Sequence, residues 1–107
     1  MPVNIPKKKP AAVPTTTATL IVVPSVTTVG NQVRIEGCGY TWPDGKWMPP
    51  VQLDIIHPDG VIESYGLGLF FNGCISGTYF IPTKVGVYTL KAVQNNIVVA
   101  TTLVTVS

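Results

Sequence analysis

The sequence predicts an all-β chain, a sandwich or small barrel of about seven to eight short antiparallel strands. Three observations carry that expectation. Short runs rich in Val, Ile, Thr and Tyr alternate apolar with polar residues, the period of a half-buried strand. Turn signals interrupt these runs at short intervals: Pro24, Gly30, Pro43-Asp44-Gly45, Pro58-Asp59-Gly60, Pro82, Gly86 and Asn95-Asn96. Apolar residues nowhere recur at spacings of three and four over several turns, so no helix longer than a turn is expected.

The elements follow in order. Residues 19–23 form a first strand, halted by Pro24-Ser25. Residues 32–38 form a second, with Val33 and Ile35 on one face and Arg34 and Glu36 on the other. A turn-rich loop spans residues 39–50. Residues 51–56 are a third strand, with Val51, Leu53 and Ile55 inward, and residues 61–65 return after the reversal at His57-Pro58-Asp59-Gly60. Residues 66–73 read as a short strand or a glycine-hinged loop. Residues 74–81 are expected as a strand whose core face is Ile75, Tyr79 and Ile81, with Ser76, Thr78 and Phe80 on the other side. Residues 87–93 place Tyr88, Leu90 and Ala92 against Thr89 and Lys91, and residues 97–106 close the chain with Thr102, Val104 and Val106 inward.

Residues 1–17 differ in kind. They hold four prolines and the consecutive Lys7, Lys8 and Lys9, with no apolar period, and are expected to be an extended, flexible arm; residues 18–107 form the domain. The full chain carries a formal charge of +2, yet residues 18–107 hold four basic against five acidic side chains, a net of −1. The positive excess therefore belongs to the arm, and the domain lacks a basic face for a nucleic-acid backbone. The apolar run of residues 20–23 is too short for a signal peptide, and no run approaches the roughly 20 apolar residues of a membrane span. Met1 suggests a complete start, and no membrane insertion is expected.

Certain segments resemble bacterial and bacteriophage immunoglobulin-like domains. They are Val22-Val23-Pro24 through Gly30, then Val33-Arg34-Ile35-Glu36-Gly37-Cys38-Gly39-Tyr40, then residues 73–82 followed by Gly86-Val87-Tyr88-Thr89-Leu90. The resemblance covers residues 18–107 and implies an immunoglobulin-like β-sandwich, in which a Gly-x-Tyr, here Gly86 and Tyr88, opens the penultimate strand and the Tyr packs at a corner. It implies a fold, not an activity. In that arrangement Cys38 ends the second strand and Cys74 begins its antiparallel neighbour, so a Cys38–Cys74 disulfide is expected near the outer face of one sheet. This departs from the antibody pattern, because the strand of Tyr88 carries no cysteine. The alternative is two partly buried free thiols.

Chemistry-bearing residues are sparse. His57 is the single histidine and reads as a turn residue; Asp54 and Asp59 nearby do not complete a metal set, and neither a metal nor a cofactor is expected. Asp54 and Glu63 could face each other across their hairpin as an acid pair, but read more simply as solvent-facing residues. No nucleophile elbow, phosphate loop or dinucleotide fingerprint occurs, so no catalytic residues are assigned and the chain is read as non-enzymatic. Two features suit contact instead. The loop of residues 40–50 holds Tyr40, Trp42, Trp47 and Met48, a candidate surface for protein or sugar, although at least one Trp could cap the core. The arm, through Lys7, Lys8 and Lys9, could lie along an acidic surface of a larger body. The apolar residues 67–71 are expected to line the core rather than form a contact.

These features lead to the expectation of a structural or attachment module, a bacteriophage capsid decoration or other virion accessory protein that docks on a shell through its arm. Its place would be the virion, assembled in the host cytoplasm, or otherwise the cytoplasm or a cell surface. The alternative is a carbohydrate-binding or cell-surface adhesion module that uses Trp42 and Trp47. Nucleic acid is not an expected partner.

Overall fold

The computed structural model describes residues 18–41 and 50–107. These residues form eight strands and no helix: β1 (Ile21–Val23), β2 (Val26–Thr27), β3 (Val33–Glu36), β4 (Val51–Ile56), β5 (Ile62–Leu67), β6 (Thr78–Phe80), β7 (Gly86–Gln94) and β8 (Ile97–Val106). They make two sheets, β1-β3-β6 and β2-β8-β7-β4-β5. Every pairing is antiparallel except β2 with β8. The chain changes sheets between β1 and β2 at the cis peptide Val23-Pro24, where proline's missing N–H is no loss.

Period-two alternation decides which side chains are buried. Val33 and Ile35 face Val51, Leu53, Ile55, Tyr88, Leu90, Ala92, Val104 and Val106 in one apolar core between the sheets. The two-residue turn at Asn95-Asn96 has positive φ at both residues, 51° and 64°, as a tight hairpin between right-twisted strands requires.

Two expectations are corrected here. Residues 74–81 are not one strand: β6 is Thr78–Phe80, and Ile75 makes only an isolated bridge to Leu69. Thr78 and Phe80 oppose Ile35 and Val33 and turn inward, whereas Tyr79 and Ile81 are exposed. The cause is an extra residue. Ile35 opposes Thr78 and Cys38 opposes Cys74, so three steps on one side meet four on the other, a bulge that inverts the alternation. Asp54 and Glu63, in turn, do not face each other. Asp54 opposes Ser64 and Glu63 opposes Ile55, which puts the two carboxylates on opposite faces of the sheet.

Candidate functional site

One end of the sandwich gathers the anchor points of the segments that the sequence singled out. The arm enters there through Ala18, before β1. The described feet of the β3–β4 connection, residues 37–41 and Pro50, the long β5–β6 connection and the β7–β8 turn all lie at that end, because β1, β4, β6 and β8 begin where β3, β5 and β7 finish. Lys7, Lys8, Lys9, Trp42, Trp47 and Met48 themselves fall outside the described residues. The anchor points of both segments are described in detail.

The root of the arm is laced to β3. The Thr19 N–H donates to the Cys38 carbonyl at 2.8 Å, and the Cys38 N–H donates to Thr19 Oγ1 at 3.0 Å. The Tyr40 hydroxyl donates to the Thr19 carbonyl at 2.7 Å. Any side chain at Gly37 would run into that same Thr19 carbonyl, so the approach of the two backbones requires glycine. Cys38 and Cys74 are joined by a disulfide, with Cα atoms 3.8 Å apart, and the bond lies at the surface as expected. It ties the root of the arm to the β5–β6 connection. By the loop-closure argument this 36-residue span contributes about 4 kcal/mol.

Tyr40 does not join a contact surface. It is 5% exposed, in the core cluster, and burial pushes its phenol up to about 12. The feet of the aromatic loop are held by Gln94, a buried polar residue that sequence reasoning did not single out. Its Oε1 accepts from the Thr41 N–H at 3.2 Å, and its Nε2 donates to the carbonyls of Thr41 at 2.7 Å and Pro50 at 3.0 Å. One amide therefore fixes the entry and the exit of the loop.

The apolar residues 67–71 divide. Leu67 and Leu69 are buried, as expected of core lining. Phe70 and Phe71 are 57% and 101% exposed, which corrects that expectation for these two. They ride on a tight loop in which the Phe70 N–H donates to the Cys74 carbonyl and the Gly73 N–H to the Phe70 carbonyl, each at 2.9 Å. Gly73 has φ +83°, and the Tyr40 N–H donates to its carbonyl at 3.0 Å. The loop is thus braced while its two rings point outward. Among the described connecting residues of this end, 18–20, 37–41, 68–75 and 95–96, none is charged; Glu36 closes β3 beside them, and Asp44 and Lys46 fall outside the described residues.

Asp59 and Lys84 lie at the other end. Lys84 pairs with Asp59 at 3.0 Å, and Arg34 with Glu36 at 2.6 Å on the outer face of the smaller sheet. Hydrogen bonding from Lys84 holds the Asp59 carboxyl below its ordinary range. A groove of about 380 Å³ opens between the edges of β5 and β6, lined by His57, Glu63, Tyr65, Tyr79 and Phe80 among others. The His57 backbone makes the expected turn, with its N–H donated to the Val61 carbonyl and its own carbonyl accepting from Gly60. Its ring packs 5.0 Å from that of Tyr88, and Nε2 lies 3.4 Å from the Glu63 carboxylate, close but not aligned as a hydrogen bond. The Tyr65 hydroxyl donated to Glu63 at 2.7 Å, and then His57, hold the Glu63 carboxyl below its usual value; the same Tyr65 bond raises the Tyr65 phenol. No cluster of three metal-ligating side chains occurs among the described residues.

No helix among the described residues is long and apolar enough to cross a membrane. No family model matches the chain, and no curated protein matches it in sequence.

Proposed function

We propose that this chain is a non-enzymatic attachment module on an immunoglobulin-like sandwich, and that it decorates a bacteriophage capsid or another virion surface by docking through residues 1–17. The observation that carries this reading is the gathering of the arm root, the feet of the aromatic loop at Thr41 and Pro50, and the exposed Phe70-Phe71 at one end. Exposed aromatic rings offer contact area to a partner, and the consecutive Lys7, Lys8 and Lys9 of the arm suit acidic groups beside it. Attachment also suits a root that is fixed by hydrogen bonds and a disulfide, since a tether transmits load only if its base is firm.

The immunoglobulin-like part of the reading draws support from three features. The sheets have the orders β1-β3-β6 and β2-β8-β7-β4-β5, the first strand crosses from one sheet to the other, and its second half runs parallel to the last strand. Tyr88 follows Gly86 by two residues, is fully buried, and accepts from the backbone N–H groups of Thr83 at 3.2 Å and Lys84 at 3.1 Å, the geometry of a tyrosine corner. The disulfide lies at the surface beyond the paired strands, between Cys38 after β3 and Cys74 in the β5–β6 connection before β6.

The test is recovery from native material. The full chain is expected in purified intact particles, identified by mass spectrometry, and a chain lacking residues 1–17 is expected to be lost from them. Retention of the truncated chain at an unchanged level would reject docking through the arm. A second reading, glycan binding by Trp42 and Trp47, is favoured by the Gln94 clamp, which pre-orders the feet of their loop. It predicts glycan-array signals that disappear in Trp42→Ala and Trp47→Ala.

A further inference from the structure

The outer face of the five-stranded sheet is patterned in rows. Cross-strand partners align Leu103, Thr89, Ile56 and Ile62 across β8, β7, β4 and β5. The next row toward the arm end, across the same strands, holds Lys91 and Asp54 at its centre, flanked by threonine and serine. In the first row Leu103 is 54% and Ile62 60% exposed, and Val87 and Val26 extend the apolar area toward the far end at 47% and 67%. A contiguous apolar stripe of this kind on a small domain is characteristic of a contact surface.

We propose that a second copy of this chain packs on this face, related by a two-fold axis that runs parallel to the strands between β7 and β4. The argument is self-complementarity. Such an axis keeps each row level with itself and lays β7 over the partner's β4 and β8 over the partner's β5. Leu103 then covers the partner's Ile62, Thr89 meets the partner's Ile56, and Lys91 meets the partner's Asp54, each contact occurring twice. Asp54 and Lys91 are register neighbours within one chain, yet no ion pair joins them. Among the described residues the Asp54 carboxylate accepts from neutral donors, Gln52 Nε2 at 2.8 Å and Ser64 Oγ at 2.7 Å, and no described cation pairs with it, which suits a cation from the partner copy. An axis across the strands, between the two rows, would instead lay Asp54 over Ile56 and Lys91 over Thr89, burying both charges unpaired.

Pairing through the open edge of β5 is the competing geometry. Glu63 stands there on the groove side of an edge strand, a placement that opposes strand addition. The face proposed here is four strands wide, spaced about 4.8 Å apart, and about six residues long, a plate of about 20 by 20 Å. That buries about 800 Å² over both partners, below the roughly 1,200 Å² of a stable complex, so the association is weak and reversible.

Sedimentation of the full chain over concentrations from about 1 to 300 µM tests this. A reversible dimer is expected. Lys91→Asp and Asp54→Lys are each expected to weaken it about tenfold or more, and the double exchange to restore it within about threefold. Leu103→Asp is expected to abolish it at an unchanged thermal midpoint. A monomer throughout the range would overturn the proposal, as would a dimer indifferent to charge reversal or a double exchange without rescue. The interface is independent of attachment through the arm: removal of residues 1–17 should leave the dimer intact, and loss of the dimer on that truncation would place the contact elsewhere.

Discussion

Each end of the sandwich is closed around a buried tyrosine, and the two phenols are used in opposite senses. At the far end the Tyr88 oxygen accepts two backbone N–H groups, from Thr83 and Lys84. At the arm end Tyr40 donates its proton to the Thr19 carbonyl. The difference follows from the connections that each end has to organise. Far-end connections are short: the β4–β5 turn closes with the Gly60 N–H on the His57 carbonyl, and the Gly30 N–H reaches the Pro82 carbonyl. Gly86, at φ +136°, leaves room for Pro58 to pack on it, where a side chain would collide. The arm end has to order long connections and the root of the arm, and it recruits cross-chain devices: the disulfide, Gln94 and Thr19. The far end also carries the ion pair of Asp59 with Lys84.

The largest test of this contrast is removal of the disulfide. Cys38→Ser with Cys74→Ser is expected to lower unfolding free energy by about 4 kcal/mol, read from chemical denaturation. A loss below about 1 kcal/mol would mean that hydrogen bonding alone holds the arm end. Next come the tyrosines. Tyr88→Phe leaves two backbone donors without their acceptor and is expected to cost about 2 kcal/mol; Tyr40→Phe removes one donor and should cost about 1 kcal/mol. The reverse order would break the assignment of the far end to its tyrosine. Gln94→Leu is expected to cost about 1–2 kcal/mol and to speed proteolysis between Thr41 and Pro50, with cleavage sites mapped by mass spectrometry.

Titration separates the ends further. The Tyr40 phenol is raised in the folded protein from its ordinary 10 to about 12, so the stability it contributes is complete below pH 10 and is lost as pH rises toward 12. Phenolate absorbance should show a late component that disappears in Tyr40→Phe; its persistence would assign the late titration to another group. The smallest effect belongs to the charged end. The carboxyls of Glu63 and Asp59 are depressed, chiefly by hydrogen bonds from Tyr65 and Lys84, so the stability they add is present above the ordinary carboxylate range and fades as pH falls through their folded values. Both are exposed and screened, and Lys84→Ala should leave the thermal midpoint unchanged within error.

Much of the architecture was legible in the residues. β4 and β8 coincide with the runs at residues 51–56 and 97–106, because β4 alternates strictly and the Asp-Gly and Asn-Asn turns mark where the hairpins reverse. The disulfide pairing also followed, once the immunoglobulin-like arrangement was adopted. Tyr79 and Phe80 were assigned to the wrong faces, since a bulge is defined by the partner strand, and one chain segment read alone does not disclose it. Gln94 went unnoticed because its acceptors, the carbonyls of Thr41 and Pro50, lie 53 and 44 residues away in sequence. Phe71 looked like core by composition, and hydrophobicity alone does not say which way a residue on a tight loop faces.

The sequence by itself determined the all-β class, the concentration of positive charge in residues 1–17, and the inward positions of the regular strands, because these depend on local period and composition. The tertiary structure alone decided that the arm root, the feet of the aromatic loop and Phe70-Phe71 share one end, that Asp54 and Glu63 stand on opposite faces, and that Lys91 and Asp54 sit in one row on an outer face. Those relations depend on strand order and register, which arise from pairing between segments far apart in the chain.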